Sequence, residues 1–546
     1  MKRILFATSE AVPFIKTGGL ADVAGSLPKC FDKRYFDIRV ILPKYACMKQ
    51  EWKDKMEYVT HFYMDLGYKN CYVGILQMEY DGIKFYFIDN EYYFSGPKPY
   101  DSAPWDLEKF AFFSKAVLSV LPVIDFRPDI IHCHDWQTGL VPVYLHDSFQ
   151  QNQFFWGIKT IMTIHNLKFQ GVYDVKTIKE LTGLSDYYFT PDKLEAYKDG
   201  NFLKGGIVFA DAVTTVSNTY ADEIKTPFYG EGLDGLLRAR SNSLRGIVNG
   251  IDYNDFNPET DINLSARYNA TTFRKEKVKN KIQLQKDLGL EQDPKAMMIG
   301  IVSRLTDQKG FDLIAYIMDE LCQDSVQIVA LGTGDERYEN MFRHFDWKYH
   351  GKVSAQIYYD ESMSHRIYAA SDAFLMPSLF EPCGLSQLMS MRYGTVPMVR
   401  ETGGLKDTVE AYNEFEHTGN GFSFHNYNAH EMLYMIRYAA KIYFGYPKEW
   451  EEIIKRGMAM DYSWSASASK YAEIYEGLYK RSEEDRQRDH KWQQEYEERE
   501  QKRLEAELRV KLMMEAELAE REAALKKAEE EAALKEAEKE AAQKAA

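Results

Sequence analysis

Lys16-Thr17-Gly18-Gly19-Leu20-Ala21-Asp22-Val23 joins a cation to two glycines and the start of an apolar repeat. Leu20, Val23, Ala24 and Leu27 recur at helical spacing, which predicts a helix starting near Gly19. The free amides and dipole at such a start favour an anion, typically phosphate, and glycines let it approach the backbone. The alternative is a plain tight turn whose glycines supply positive φ.

A second cationic loop, Ser303-Arg304-Leu305-Thr306-Asp307-Gln308-Lys309-Gly310, follows the apolar run Met297–Val302. Two cations on one short loop suit a diphosphate, whose charge must be neutralised, most of all as it leaves. Gly332-Thr333-Gly334-Asp335 is a further glycine turn, uninformative alone. Glu381-Pro382-Cys383-Gly384-Leu385-Ser386 sets a carboxylate beside a Gly-led helix start, a pairing able to bind sugar hydroxyls and phosphate together. Cys383 lacks a neighbouring His base, so it reads as a packed or substrate-lining thiol rather than a nucleophile.

Three apolar runs end in polar clusters: Ile130–Cys133 in His134-Asp135-Trp136, Thr160–Ile164 in His165-Asn166, and Ala212–Val216 in Ser217-Asn218-Thr219. Ligands of open parallel sheets bind at such carboxyl ends. His132 and His134 share a strand face, as metal ligands would, but no third ligand is evident. An active-site rim or a satisfied structural histidine is the favoured reading.

Strands must carry these clusters. The candidates are Arg3–Thr8, Asp37–Leu42, Lys84–Ile88, Ile130–Cys133, Thr160–Ile164 and Ala212–Val216, then Met297–Val302, Gln327–Leu331, Gln356–Tyr359, Ala373–Met376 and Val396–Val399. Alternation with helical patterns indicates βαβ units and two doubly wound parallel sheets. The turn-rich segment 249–295 suggests the boundary; its Lys-rich middle reads as a linker or a surface helix. Thr17–Asp22 is echoed by Thr402-Gly403-Gly404-Leu405-Lys406-Asp407, which reads as a reused helix-start device.

The chain has 546 residues with 68 basic and 83 acidic side chains, net charge −15. That length allows two to four domains. The acidic excess argues against nucleic acid or an anionic membrane as partner. The six cysteines form no CxxC pair, which excludes zinc knuckles and fits a reducing cytosol. No signal peptide and no 18-residue apolar stretch is read, so a cytoplasmic setting is expected. Residues 481–546 differ in kind: 20 acids, 15 bases, no Gly and no Pro. Glu522/Lys526, Glu531/Lys535 and Glu540/Lys544 are favourable i,i+4 pairs, but the nine-residue recurrence breaks a coiled-coil seam. The tail reads as a charged helix, free or docking on a partner protein.

Taken together, KTGGLADV, HCHDW, TIHN, TTVSNTYADEI, GIVNGID, SRLTDQKG, FEPCGL and GTVPMVRETGGLKDTV resemble the bacterial glycogen synthase and plant starch synthase family, from residue 1 to about 480. The resemblance implies an α/β GT-B fold: two Rossmann-like domains facing a cleft, here with a C-terminal helical extension. The implied layout is 1–252 on the acceptor side, 253–462 for the nucleotide sugar and a helix over 463–480 crossing back; the charged tail over 481–546 is no part of the family pattern. The implied reaction is retaining transfer of glucose from ADP-glucose to the non-reducing end of an α-1,4-glucan, with no metal or cofactor. UDP-glucose, another acceptor, or a non-catalytic glucan-binding scaffold remain alternatives.

By the same resemblance, Lys16, Gly18 and Gly19 match the donor loop, and Asn249 the Asn-Gly-Ile-Asp segment. Asp135 lies near the reacting sugar, and the His165 backbone carbonyl faces the anomeric carbon. Arg304 and Lys309 hold the diphosphate, Glu381 the glucose hydroxyls, and Cys383, Gly384 and Leu385 the loop beside it. Met389 stands where broader relatives carry a second glutamate, which agrees with the synthases. No transit-type segment precedes the first strand, which favours a bacterial member. A hinge is expected near 250–256 and 460–465, with Trp464, Tyr471, Ile474 and Tyr475 packing a helix on the first domain.

Overall fold

A computed structural model of the chain describes residues 1–479 and, beyond them, Gln501, Lys502, Glu505 and Arg509. Those four are helical; otherwise the charged helix expected over 481–546 lies outside the described residues. Two large sheets lie within one compact unit, Lys2–Phe31 with Ile38–Lys480.

The first sheet has nine strands in the order Leu244–Gly246, Ala212–Thr215, Lys159–Ile164, Ile130–His134, Lys2–Ala7, Phe36–Pro43, Ile83–Asp89, Lys69–Tyr80, Glu57–Leu66. Pairing is parallel from Leu244–Gly246 to Lys2–Ala7, and again between Phe36–Pro43 and Ile83–Asp89. Ile4, Leu5, Phe6, Ile130, Ile131, Ile161 and Met162 are fully buried, as a sheet covered on both faces requires. Chain order reverses between Lys2–Ala7 and Ile130–His134, so their carboxyl ends open a crevice.

The far edge corrects the all-parallel expectation. Glu57–Leu66, Lys69–Tyr80 and Ile83–Asp89 pair antiparallel. Asp81 and Gly82 both have positive φ, 49° and 71°, the turn an Asp-Gly pair supplies between twisted strands. That dipeptide was a readable signal.

The second sheet has six strands, all parallel, in the order Val353–Gln356, Val326–Leu331, Met297–Val302, Ala373–Met376, Val396–Arg400, Phe422–Phe424. By position within this half the order is 3-2-1-4-5-6, that of a dinucleotide-type doubly wound sheet. The reversal falls between Met297–Val302 and Ala373–Met376, whose following loops carry Arg304, Lys309 and Glu381. The strand expected at Gln356–Tyr359 is instead Val353–Gln356. Asp360 caps a helix, Glu361–Ala370, and leaves Tyr359 in solvent.

The Lys-rich stretch forms the helix Phe273–Asp287, and it is not a simple surface helix. Lys277 and Lys281 are buried. Lys277 Nζ donates to the carbonyls of Tyr368, Ala369 and Tyr393 and to Thr395 Oγ1, so one lysine serves the ends of two helices. Burial pulls its pKa down to about 7.

The halves are joined twice. Ile251 bridges Ser463, Ile251 N–H donates to the Tyr462 carbonyl, and Ser467 Oγ donates to the Val248 carbonyl. The helix Trp464–Leu478 then buries Trp464, Tyr471, Ile474 and Tyr475. Tyr475 Oη lies 2.8 Å from His132 Nδ1 in the first sheet. Among the described residues no helix is long and apolar enough to cross a membrane.

Candidate active site

A cavity of about 540 Å³ opens between the carboxyl ends of the two sheets. It brings together Gly18, Gly19, Asp135, His165, Asn249, Arg304, Lys309, Glu381, Cys383, Gly384 and Leu385. Lys16 stands apart. Its ammonium lies 2.8 Å from Asp22, and both line an adjoining cavity of about 510 Å³ that shares only Leu385 with the first.

The helix Gly19–Ser26 begins where the spacing predicted. Gly18 is extended (φ −159°), so left-handed backbone is not why glycine stands there. A Cβ on Gly18 would meet nothing within 4 Å. Neither packing nor conformation requires the glycine; what it leaves is bare backbone facing the cavity.

This loop hangs on a carboxylate that the sequence reading missed. Glu10 is buried, and it accepts from Thr17 N–H at 2.5 Å, Thr17 Oγ1 at 3.0 Å and Tyr100 Oη at 3.2 Å. Burial raises its pKa against those donors. Thr8-Ser9-Glu10 is a polar strand end like the others and was open to the same reasoning.

Asp135 has φ 56°, uncommon for a residue with a Cβ. Its Oδ1 accepts from His165 N–H at 2.7 Å. Burial pushes the Asp135 pKa up to about 7. His165 is half-buried, and desolvation of its ring brings the pKa down to about 3, so the imidazole is neutral at pH 7. Its Nε2 lies 3.0 Å from His134 Nδ1. His132 is saturated by Tyr475 Oη and, at 2.6 Å, Thr163 Oγ1, which makes it a structural histidine.

On the opposite wall, Lys309 Nζ donates to Glu381 Oε2 at 2.6 Å, and Ser378 Oγ donates to the same oxygen at 2.9 Å. Arg304 is exposed, and its guanidinium has no hydrogen-bond or ion-pair partner among the described residues. One cation is thus committed to the carboxylate and one is free. Gly310 (φ 75°) lets the loop pass Pro377, whose carbonyl would lie 2.1 Å from a Cβ there. Gly384 (φ 71°) lets the Glu381 loop turn into the helix Ser386–Arg392. Cys383 is buried, and that burial pushes its thiol up to about 12.

A model of the starch synthase catalytic domain matches residues 3–239, and one of group 1 glycosyl transferases matches residues 283–456. The glycogen synthase of Lachnospira eligens is 68% identical over 478 residues, 88% of this chain and 100% of that protein. That of Clostridium novyi is 52% identical over 477 residues, 87% of this chain and 99% of that protein. The catalytic domain of starch synthase IV from Arabidopsis thaliana, solved bound to ADP and acarbose, matches with TM-score 0.81 at 33% identity, over 87% of this chain and 99% of that one. A sucrose-phosphate synthase from Thermosynechococcus elongatus shares the fold, with TM-score 0.55 at 15% identity over 88% of this chain and 99% of that one. With two Rossmann-like domains of the GT-B kind and this identity along their length, the chain belongs to the glycogen and starch synthase family of glycosyltransferases.

Proposed function

We propose that this protein is a glycogen synthase that transfers glucose from ADP-glucose to the non-reducing end of an α-1,4-glucan, with retention at the anomeric carbon. The observation that carries the reading is the cleft wall where free Arg304 stands beside the Lys309–Glu381 pair, opposite the bare backbone of Gly18. Arg304 and Lys309 neutralise the departing diphosphate, and the Gly19 helix start adds oriented amides. Glu381 takes the glucose hydroxyls. ADP as the nucleotide is supported by the Arabidopsis relative, solved with ADP and acarbose.

The carboxylates lining the cleft are already engaged. Glu381 is held by Lys309 and Ser378, Glu10 by Thr17 and Tyr100, Asp135 by the His165 amide, and Asp106 by Lys109 and the Asp101 amide. None stands free as a nucleophile. Retention therefore proceeds by same-face attack through an oxocarbenium-like state, the leaving phosphate oxygen accepting the proton of the glucan hydroxyl. Asp135 fixes the His165 peptide and the neutral ring of His134 fixes the His165 ring, and the His165 carbonyl faces the positive anomeric centre. The protein's own groups supply the neutralising charge, so the reading needs no metal or cofactor. A cytoplasmic setting goes with it, supported by six free cysteines, the state a reducing compartment keeps.

The test mixes purified protein with glycogen and either ADP-glucose or UDP-glucose and measures released nucleotide. Faster release of ADP is expected. No release from either donor overturns the reading, and faster release of UDP overturns its donor.

A further inference from the structure

The echo of the first glycine motif, Thr402-Gly403-Gly404, lies away from the cleft's lining but directly behind Glu381. Gly404 N–H donates to the Glu381 carbonyl at 3.1 Å. A Cβ on Gly403 (φ 45°) would lie 2.0 Å from that same carbonyl, and one on Gly404 would lie 2.0 Å from the Cys383 carbonyl. The backbone of the Glu381 loop rests on this helix start with no room for a side chain between them.

The helix start is in turn held from the other half of the molecule. Glu223 Oε1 accepts from Thr402 Oγ1 at 2.9 Å and from Gly403 N–H at 3.0 Å. Asp407, on the helix Gly403–Thr408, reaches back. It accepts from Thr219 N–H at 3.0 Å and from Thr219 Oγ1 at 2.5 Å, at the start of the helix Asn218–Glu223. Each short helix thus has one amide of its first turn satisfied by a carboxylate of the other. Beside them Ser217 Oγ donates to the Pro382 carbonyl at 2.5 Å. The helix Asn218–Glu223 also keeps the usual cap from its own segment, Ser217 Oγ accepting from Tyr220 N–H at 3.2 Å; the two carboxylates add bonds that run between the halves.

We infer that Glu223 is a positioning residue for the transfer: through Thr402 and Gly403 it sets the Glu381 loop in register with Asp135 and His165 across the cleft. Asp407 makes the reciprocal bond. The Glu223 carboxylate points at the helix start, not the cavity, so it acts through the loop. A displacement of about 1 Å at a reacting centre costs on the order of 10²-fold in rate. The inference rests on the reading of Glu381 given above.

The test compares Glu223→Ala and Glu223→Gln, using kinetics and amide hydrogen exchange in the full chain. Glu223→Ala should lower kcat by about 10²-fold while the donor KM changes little, because the cleft's own donor contacts remain. Glu223→Gln keeps an acceptor oxygen and should restore most of kcat. Exchange at Gly403 and Gly404 should quicken in the alanine variant only. Wild-type kcat in folded Glu223→Ala, or unchanged exchange at those amides, overturns the inference. If Glu223→Ala does not fold, Thr402→Val, which deletes one donor to Glu223, should show the same losses in smaller degree, and unchanged kcat there overturns it. An inactive wild-type chain would sink the functional reading, and the exchange measurement would still decide whether Glu223 holds the loop.

Discussion

Lys309 Nζ lies 2.6 Å from Glu381 Oε2, joining two loops that leave adjacent parallel strands. The bond fixes a buried carboxylate and leaves Arg304 as the free cation of the same wall. On the proposed reading, donor binding inserts a diphosphate beside a lysine already in place, so little reorganisation is needed as charge develops.

Replacing Lys309 removes both the bond and the charge. Lys309→Ala should lower kcat by about 10²-fold or more, read as nucleotide released from the donor with glycogen present. Near-normal turnover would contradict its assignment to the leaving group.

The thiol of Cys383 is buried and held far from ionisation at neutral pH. Cys30 and Cys47 are less buried, although their pKa values are also raised. Timed alkylation at pH 8 followed by peptide mass spectrometry should therefore label Cys30 and Cys47 before Cys383. Prior labelling of Cys383 would show a thiolate that this packing forbids.

Two chain crossings lie side by side at Gly250–Ile251 and Tyr462–Trp464, where a Cβ on Gly250 would sit 2.5 Å from Trp464 N. Gly250→Ala should cost about 1–3 kcal/mol by overpacking, measured by denaturant unfolding. If these crossings are the hinge, saturating donor should compact the protein in small-angle scattering; superimposable profiles with and without donor count against closure.

Two buried histidines, His132 and His134, and the half-buried His165 make stability depend on pH. His132 and His165 have pKa values near 3, and burial also holds His134 well below its ordinary value. The unfolded chain binds protons near pH 6.5 that the folded chain refuses until about pH 3. This contribution is therefore present above pH 6.5 and is lost as pH falls toward 3. His132→Gln should flatten the decline of unfolding free energy between pH 6.5 and 4 by up to one proton's worth of slope. An unchanged slope would mean His132 protonates in the folded state.

The sequence by itself determined the chemistry at the strand ends. Gly18-Gly19, Arg304, Lys309 and Glu381 were legible because each sits within a few residues of a strand or helix start, where spacing alone fixes the local geometry. The parallel strands were legible for the same reason, while the antiparallel edge went unread although its Asp81-Gly82 turn was printed in the chain. Only the tertiary structure decided partnership. It paired Lys309 with Glu381, sent Lys16 to Asp22, hung the first glycine loop on Glu10, and set Glu223 against Thr402 across 179 positions of chain. Hydrogen bonds and charge pairs act over a few ångströms of space whatever the separation in sequence, so spacing cannot report them until the two sheets are packed.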